Sequence, residues 1–263
     1  MKKQLALLNL VSVVLVIAVN YISQAIRINE TTIGEVSNKY FNLFTPAPYA
    51  FAIWGLVFIA LLAYGIYQVK IAFSKDEPAE FILKTGYWFI LANLCNCSWV
   101  FAFAYDYTGL SVIIMVGILF SLLQIILKTN MNKKSVSGTT VIFGWLPIGI
   151  YSGWIAVATI ANVAAYLSKL NWDGAFFSEQ QWTVIMIGIA TLVNIFMVWK
   201  RNMREFAFVG IWALVAIYRR HTGSIDALAN MALTCSGILF LVIIFHFIQN
   251  RNNNLFLNSK ANS

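Results

Sequence analysis

Residues 139–167 read TTVIFGWLPIGIYSGWIAVATIANVAAYL, 29 positions without one charged side chain. As a helix rising about 1.5 Å per residue, the stretch exceeds the roughly 30 Å hydrocarbon core of a bilayer. Its apolar residues do not alternate with polar ones, so a spanning helix rather than a barrel strand is expected. Only a helix satisfies its own backbone inside lipid.

The same signature recurs along the chain. Of its 263 residues, 60% are hydrophobic and 11% charged, where a soluble domain carries about 45–50% and about 25%. The fold class is therefore all-α, a polytopic membrane helical bundle. Eight runs qualify: 5–22, 49–69, 83–103, 109–127, 139–167, 182–199, 206–218 and 225–248. The seventh covers only about 20 Å, so it needs snorkelling Arg204, Arg219 and Arg220, or it is re-entrant. The first, flanked by Lys2-Lys3 and Ser23-Gln24-Ala25, also resembles a secretory signal. Its length and the seven further runs favour a retained helix.

A cytoplasmic N-terminus places thirteen of the eighteen lysines and arginines inside, and leaves Arg27, Lys39, Lys169, Arg219 and Arg220 outside. This bias supports eight spans with both termini cytoplasmic, although seven crossings fit the charges too. It also accounts for the net charge of +8 without a nucleic-acid partner. The polar stretch 168–181 divides a five-helix part, 1–170, from three further helices, 171–249. The polar tail 250–263 is expected to be disordered and cytoplasmic.

Ionisable groups are costly in a membrane and mark proton or ion paths when present. No Asp, Glu, Lys or Arg occupies the centre of a confident span; Asp106 sits in a tight loop and Asp226 at a helix start. A proton relay, an ion-coupled carrier and an aspartyl protease therefore lack their parts, and no catalytic residue is assigned. His221, in a basic loop, and His246, near a helix end, have no Cys, Asp or Glu at metal-ligand spacing. Cys95 and Cys97, two apart, point to different faces, and with Cys235 they read as buried inert thiols.

The spans hold Asn93, Asn96, Gln124, Asn162, Asn194 and Asn230, whose simplest role is to join helices at about 0.6 kcal/mol each. Tryptophans 145, 172, 182 and 199 fit an interfacial aromatic belt, whereas Trp54, Trp99 and Trp154 lie inside spans. An indole there suits core packing or stacking against a flat ligand. Before the second span, FTPAPYAF (44–51) places Pro46 and Pro48 at the helix entry with Thr45 as its cap.

Three motifs resemble the tryptophan-rich sensory protein family, also called TspO/MBR or translocator protein. They are the proline-aromatic entry with Phe51-x-x-Trp54, then Asn96-x-x-Trp99-x-x-x-Phe103, then Trp154-I-A-V-Ala158-Thr159-I-A-Asn162, in which Trp154, Ala158 and Thr159 are placed on one face. The resemblance covers about residues 1–170; the last three helices resemble a longer branch of the family. It implies a five-helix bundle whose pocket lies under the first loop and takes a small planar hydrophobic ligand. That ligand is a tetrapyrrole, or in some members a sterol or drug-like aromatic, and no other cofactor is implied. Trp54 and Trp154 would line the pocket, with Asn96, Trp99, Ala158, Thr159, Tyr49 and Phe51 around them. Membrane lipids and a second copy of the chain are the implied partners, and a bacterial plasma membrane the implied location. Transport, sensing and porphyrin breakdown all remain open, as does a purely structural role in which the Asn and Trp residues only pack.

Several positions depart from the family pattern. The Phe-to-Trp spacing is one residue shorter, Phe58 stands where a tyrosine is expected, and Ile114 stands near an expected acid. Pro147 is seven residues before Trp154, not four. The pocket is thus less polar, and Arg27 and Lys39 of the first loop are the nearest donors for a porphyrin's carboxylates. Val163-x-x-Tyr166-x-x-Lys169 also matches a proposed sterol consensus.

Overall fold

Local chemistry sets where each apolar run begins and ends as a helix. A computed structural model describes residues 1–74, 80–133 and 136–250. Helix α1 covers Lys2–Ala25, and α2 (Ile33–Lys39) opens on a capping box between Thr32 and Glu35. A 3-10 turn over Pro48–Ala52 leads into α3 (Ile53–Phe73). Then come α4 (Glu80–Thr85), α5 (Trp88–Ala104) and α6 (Thr108–Lys128). A single turn, α7 (Gly138–Thr140), and a π turn over Val141–Trp145 precede α8 (Leu146–Lys169). The chain closes with α9 (Glu179–Arg201), α10 (Arg204–His221) and α11 (Asp226–Gln249). The expected tail beyond Asn250 and the basic residues 75, 134, 251 and 260 lie outside the described residues.

Five expectations need correction. The third run is not continuous: Gly86, at φ +56°, ends α4 with its N–H bonded to the Ile82 carbonyl, a left-handed helix stop suited to glycine. Thr45 does not cap the second span; its hydroxyl accepts from the Asn42 N–H and closes a turn, while Pro48 opens the 3-10 segment. The seventh helix has 18 residues rather than 13, because the helix continues through Arg204, Glu205 and Arg219–His221. Trp145 is only 2% exposed and belongs to the core, not to a belt. His221 is not in a loop; it is the last residue of α10 and is buried.

Among the described residues, six helices are long and apolar enough to cross a bilayer by length and composition. Helix α5, at 17 residues, and α10, with its charged ends, fall outside that measure. Helix α1 packs on α3 and α5, α6 bridges α5 and α8, and α10 packs on α8, α9 and α11. One buried cluster joins Val13, Val57, Trp99 and Trp154 to Met197, Phe206 and Val209. The boundary near residue 170 therefore does not separate two cores.

Polar side chains tie α1 into the bundle. Asn9 donates to Gln68 at 2.7 Å, Asn93 to Ser12 at 2.9 Å, and Asn20 to Asn96 at 3.0 Å. Where α10 meets α8, Gly149 and Gly153 lie one turn apart under Glu205, Phe206 and Val209. A Cβ on Gly153 would stand 2.9 Å from the Phe206 carbonyl oxygen, so only glycine allows this approach.

Candidate ligand site under the first loop

Helix α8 presents Trp154, Ala158, Ala161, Asn162 and Ala165 to a cavity, a stripe at the three- and four-residue spacing of one helical face. Opposite stand Phe51, Trp54 of α3, and Trp99 with Phe103 of α5. Ile33 and Ser37 of α2, with Pro46, roof it. The free volume is about 50 Å³. That space holds a few waters, while a drug-sized ligand needs about 300–1,000 Å³.

The aromatic side chains fill most of the site by edge-to-face packing. Trp54 and Trp154 have ring centres 6.2 Å apart at 86°, and Phe51 meets Trp154 at 6.2 Å and 84°. Phe58, at the place of the expected tyrosine, stacks on Trp54 at 5.3 Å. Trp99 and Phe103 stack at 5.2 Å with 15° between planes.

The indoles differ in their N–H groups. Trp99 Nε1 donates to Asn162 Oδ1 at 2.7 Å, and Asn162 Nδ2 donates to Ser111 at 2.8 Å. That network is complete. Trp154 is 2% exposed, and its Nε1 has no hydrogen-bond partner among the described residues. A buried donor left unpaired costs about 1–3 kcal/mol, so an acceptor delivered by a ligand would be favoured there.

Of the eight residues expected at the site, Phe51, Trp54, Trp99, Trp154 and Ala158 line this cavity. Three lie elsewhere. Asn96 donates to the Tyr151 hydroxyl at 3.0 Å and accepts from Asn20, joining α5 to α1 and α8. Thr159 back-bonds to the Ile155 carbonyl at 2.7 Å; five residues from Trp154 is about 140° around a helix, so the two do not share a face. Tyr49 is 42% exposed and packs edge-on against Trp212 of α10, 5.4 Å away. Lining residues outside those eight are Ile33, Ser37, Pro46, Phe103, Val157, Ala161, Asn162 and Ala165; extending the Trp154 stripe by threes and fours would have found the last four.

The first loop is pinned over the cavity. Arg27 donates to both Glu35 carboxylate oxygens at 2.9 Å, and this hydrogen-bonded guanidinium, with the Thr32 cap, lowers the Glu35 pKa. Lys39 pairs with Asp106, which raises the lysine pKa, and Lys169 donates to the Asp106 carbonyl. Neither Arg27 nor Lys39 lines the cavity, and the lining carries no charged side chain. Tyr166 of the sterol-like pattern packs instead against Gly109.

Helices α9 and α10 hold the same segment. Leu43 N–H donates to Glu179 at 3.1 Å, Ala47 N–H to the Ala216 carbonyl at 3.1 Å, and Trp212 Nε1 to the Ala50 carbonyl at 3.1 Å. His221 Nε2 is 2.8 Å from the Leu43 carbonyl oxygen.

Among the described residues no group of His, Cys, Asp or Glu could hold a metal ion. In comparison with known protein families, residues 6–245 match the family described as TSPO-like protein. Neither the curated proteins nor the solved structures give a match to the chain.

Proposed function

The chain belongs to the TSPO-like protein family, and from that premise we propose that this integral membrane protein is a receptor or carrier for a planar hydrophobic ligand held between Trp54 and Trp154. The unpartnered, buried Trp154 N–H in an aromatic-lined cavity is the observation that carries this reading. Flat indole and phenyl faces offer stacking, and the buried Trp154 N–H offers orientation. With about 50 Å³ open, the described state is closed. A tetrapyrrole enters only if Phe51 and Trp54 swing aside and the first loop lifts. Since the lining has no cation, the carboxylates of a porphyrin would have to remain at the loop, outside the aromatic box.

Fluorescence titration of the purified protein with protoporphyrin tests this. Saturable quenching is expected for the wild type, and its loss in a folded Trp54→Ala, Trp154→Ala variant. Equal quenching in both overturns the reading. The nearly filled cavity favours a second reading, in which the aromatics serve packing alone. That reading predicts no saturable quenching by the wild type and a large stability loss in the same variant.

A further inference from the structure

A second surface feature lies at the end of the bundle opposite the first loop: Asn29 bonds the carbonyl of Ala104 at the far end of α5, whereas this feature surrounds the start of that helix at Trp88. Gly86, at the break between α4 and α5, lines a groove of about 870 Å³. Lys84, Tyr87, Trp88, Leu91, Leu94 and Lys128 line it. The groove has a polar end and an apolar floor. Leu91 and Leu94 are each 44% exposed, and Tyr87 is 70% exposed. Lys128 Nζ stands 5.1 Å over the Trp88 ring, which also makes an edge-to-face pair with Phe120 at 5.7 Å. Lys84 pairs with Glu80 one turn earlier, and among the described residues the charged side chains lining the groove, Lys84 and Lys128, are both basic.

Tyr and Trp side chains settle at the headgroup level of a bilayer, which fixes the depth of this rim. Basic pockets between membrane helices at that depth suit anionic lipid headgroups. We propose that the groove is a site for one anionic phospholipid, its phosphate at the Lys84 and Lys128 ammonium groups and an acyl chain along Leu91 and Leu94. Lipid covers every outer helix face of a membrane protein. What marks this groove is a preference for headgroup charge, and the site is separate from the aromatic cavity under the first loop.

Delipidated protein in neutral detergent, titrated with phosphatidylglycerol or phosphatidylcholine and read by native mass spectrometry, tests the assignment. One phosphatidylglycerol is expected to be retained in preference to phosphatidylcholine. An unpaired lysine near an anionic group contributes a factor of about five and Lys84 already pairs with Glu80, so the Lys84→Gln, Lys128→Gln variant should lower that preference about 5- to 25-fold. Lys200→Gln, at a basic helix end outside the groove, should leave it unchanged. The proposal is overturned if the wild type shows no preference, if the double variant keeps it, or if Lys200→Gln loses as much. Displacement by millimolar inorganic phosphate would also overturn it, by showing a bare anion site instead of a lipid site.

Discussion

His221 Nε2 lies 2.8 Å from the carbonyl oxygen of Leu43, joining the last turn of α10 to the segment that leads onto the cavity roof. Both residues are buried. With the bonds to Ala47, Ala50 and Leu43 N–H, this contact makes α9 and α10 a scaffold for the first loop.

Replacing His221 by Ala should release that segment. An unpaired buried carbonyl costs about 1–3 kcal/mol, so the non-proline amides of 43–50 should exchange roughly 5- to 150-fold faster, while those of α5 and α6 stay protected. Hydrogen exchange with mass spectrometry resolves the two regions; a uniform increase would show global destabilisation instead.

The Trp99–Asn162–Ser111 network supplies a test with a built-in rescue. Asn162→Leu strands the Trp99 N–H and should cost about 1–3 kcal/mol. Adding Trp99→Phe removes the stranded donor and should recover part of the loss. Thermal unfolding in detergent measures both, and additive losses would show that the hydrogen bond carries little.

Two glycines should respond with opposite signs. Gly153→Ala forces a methyl against the Phe206 backbone and should destabilise by about 1–3 kcal/mol. At Gly55 nothing lies within 4 Å of the added Cβ, so Gly55→Ala should be neutral or stabilise by up to about 1 kcal/mol. Melting temperatures of the two variants settle the comparison.

The first loop should hold its pinning across neutral pH. Glu35 has a lowered folded pKa, so its contribution is complete above the ordinary carboxylate value and is lost as pH falls through the folded one. Lys39 has a raised folded pKa, so its contribution is complete below the ordinary lysine value and is lost as pH rises through the folded one. Exchange at the α2 amides, corrected for the intrinsic pH dependence, should be flat between these limits and rise outside both. A transition near pH 7 would contradict the assignment.

The indoles at 54, 99 and 154 could be picked out along the chain because large aromatics inside spans are unusual, and their motifs named the family. Thr159 adjoins Ala158 in the motif yet points about 140° away from Trp154, because neighbours in sequence do not share a helical face. The Gly149-x-x-x-Gly153 spacing is present in the sequence, but that it admits α10 to the core depends on a partner helix more than fifty residues on. Half-buried Glu205, bonded to Asn132 at 2.8 Å, could not be foreseen, since its partner lies 73 residues away.

By itself, the sequence determined a helical membrane bundle of the TSPO-like family, because hydropathy and backbone satisfaction in lipid act locally along each run. Only the tertiary structure decided that five of the eight expected residues meet, that their cavity is nearly filled, and that α10 holds its roof. Those outcomes depend on the rotation and closeness of one helix against another. Steric fits such as Gly153 on Phe206 set these relations, and no single run contains both sides of such a contact.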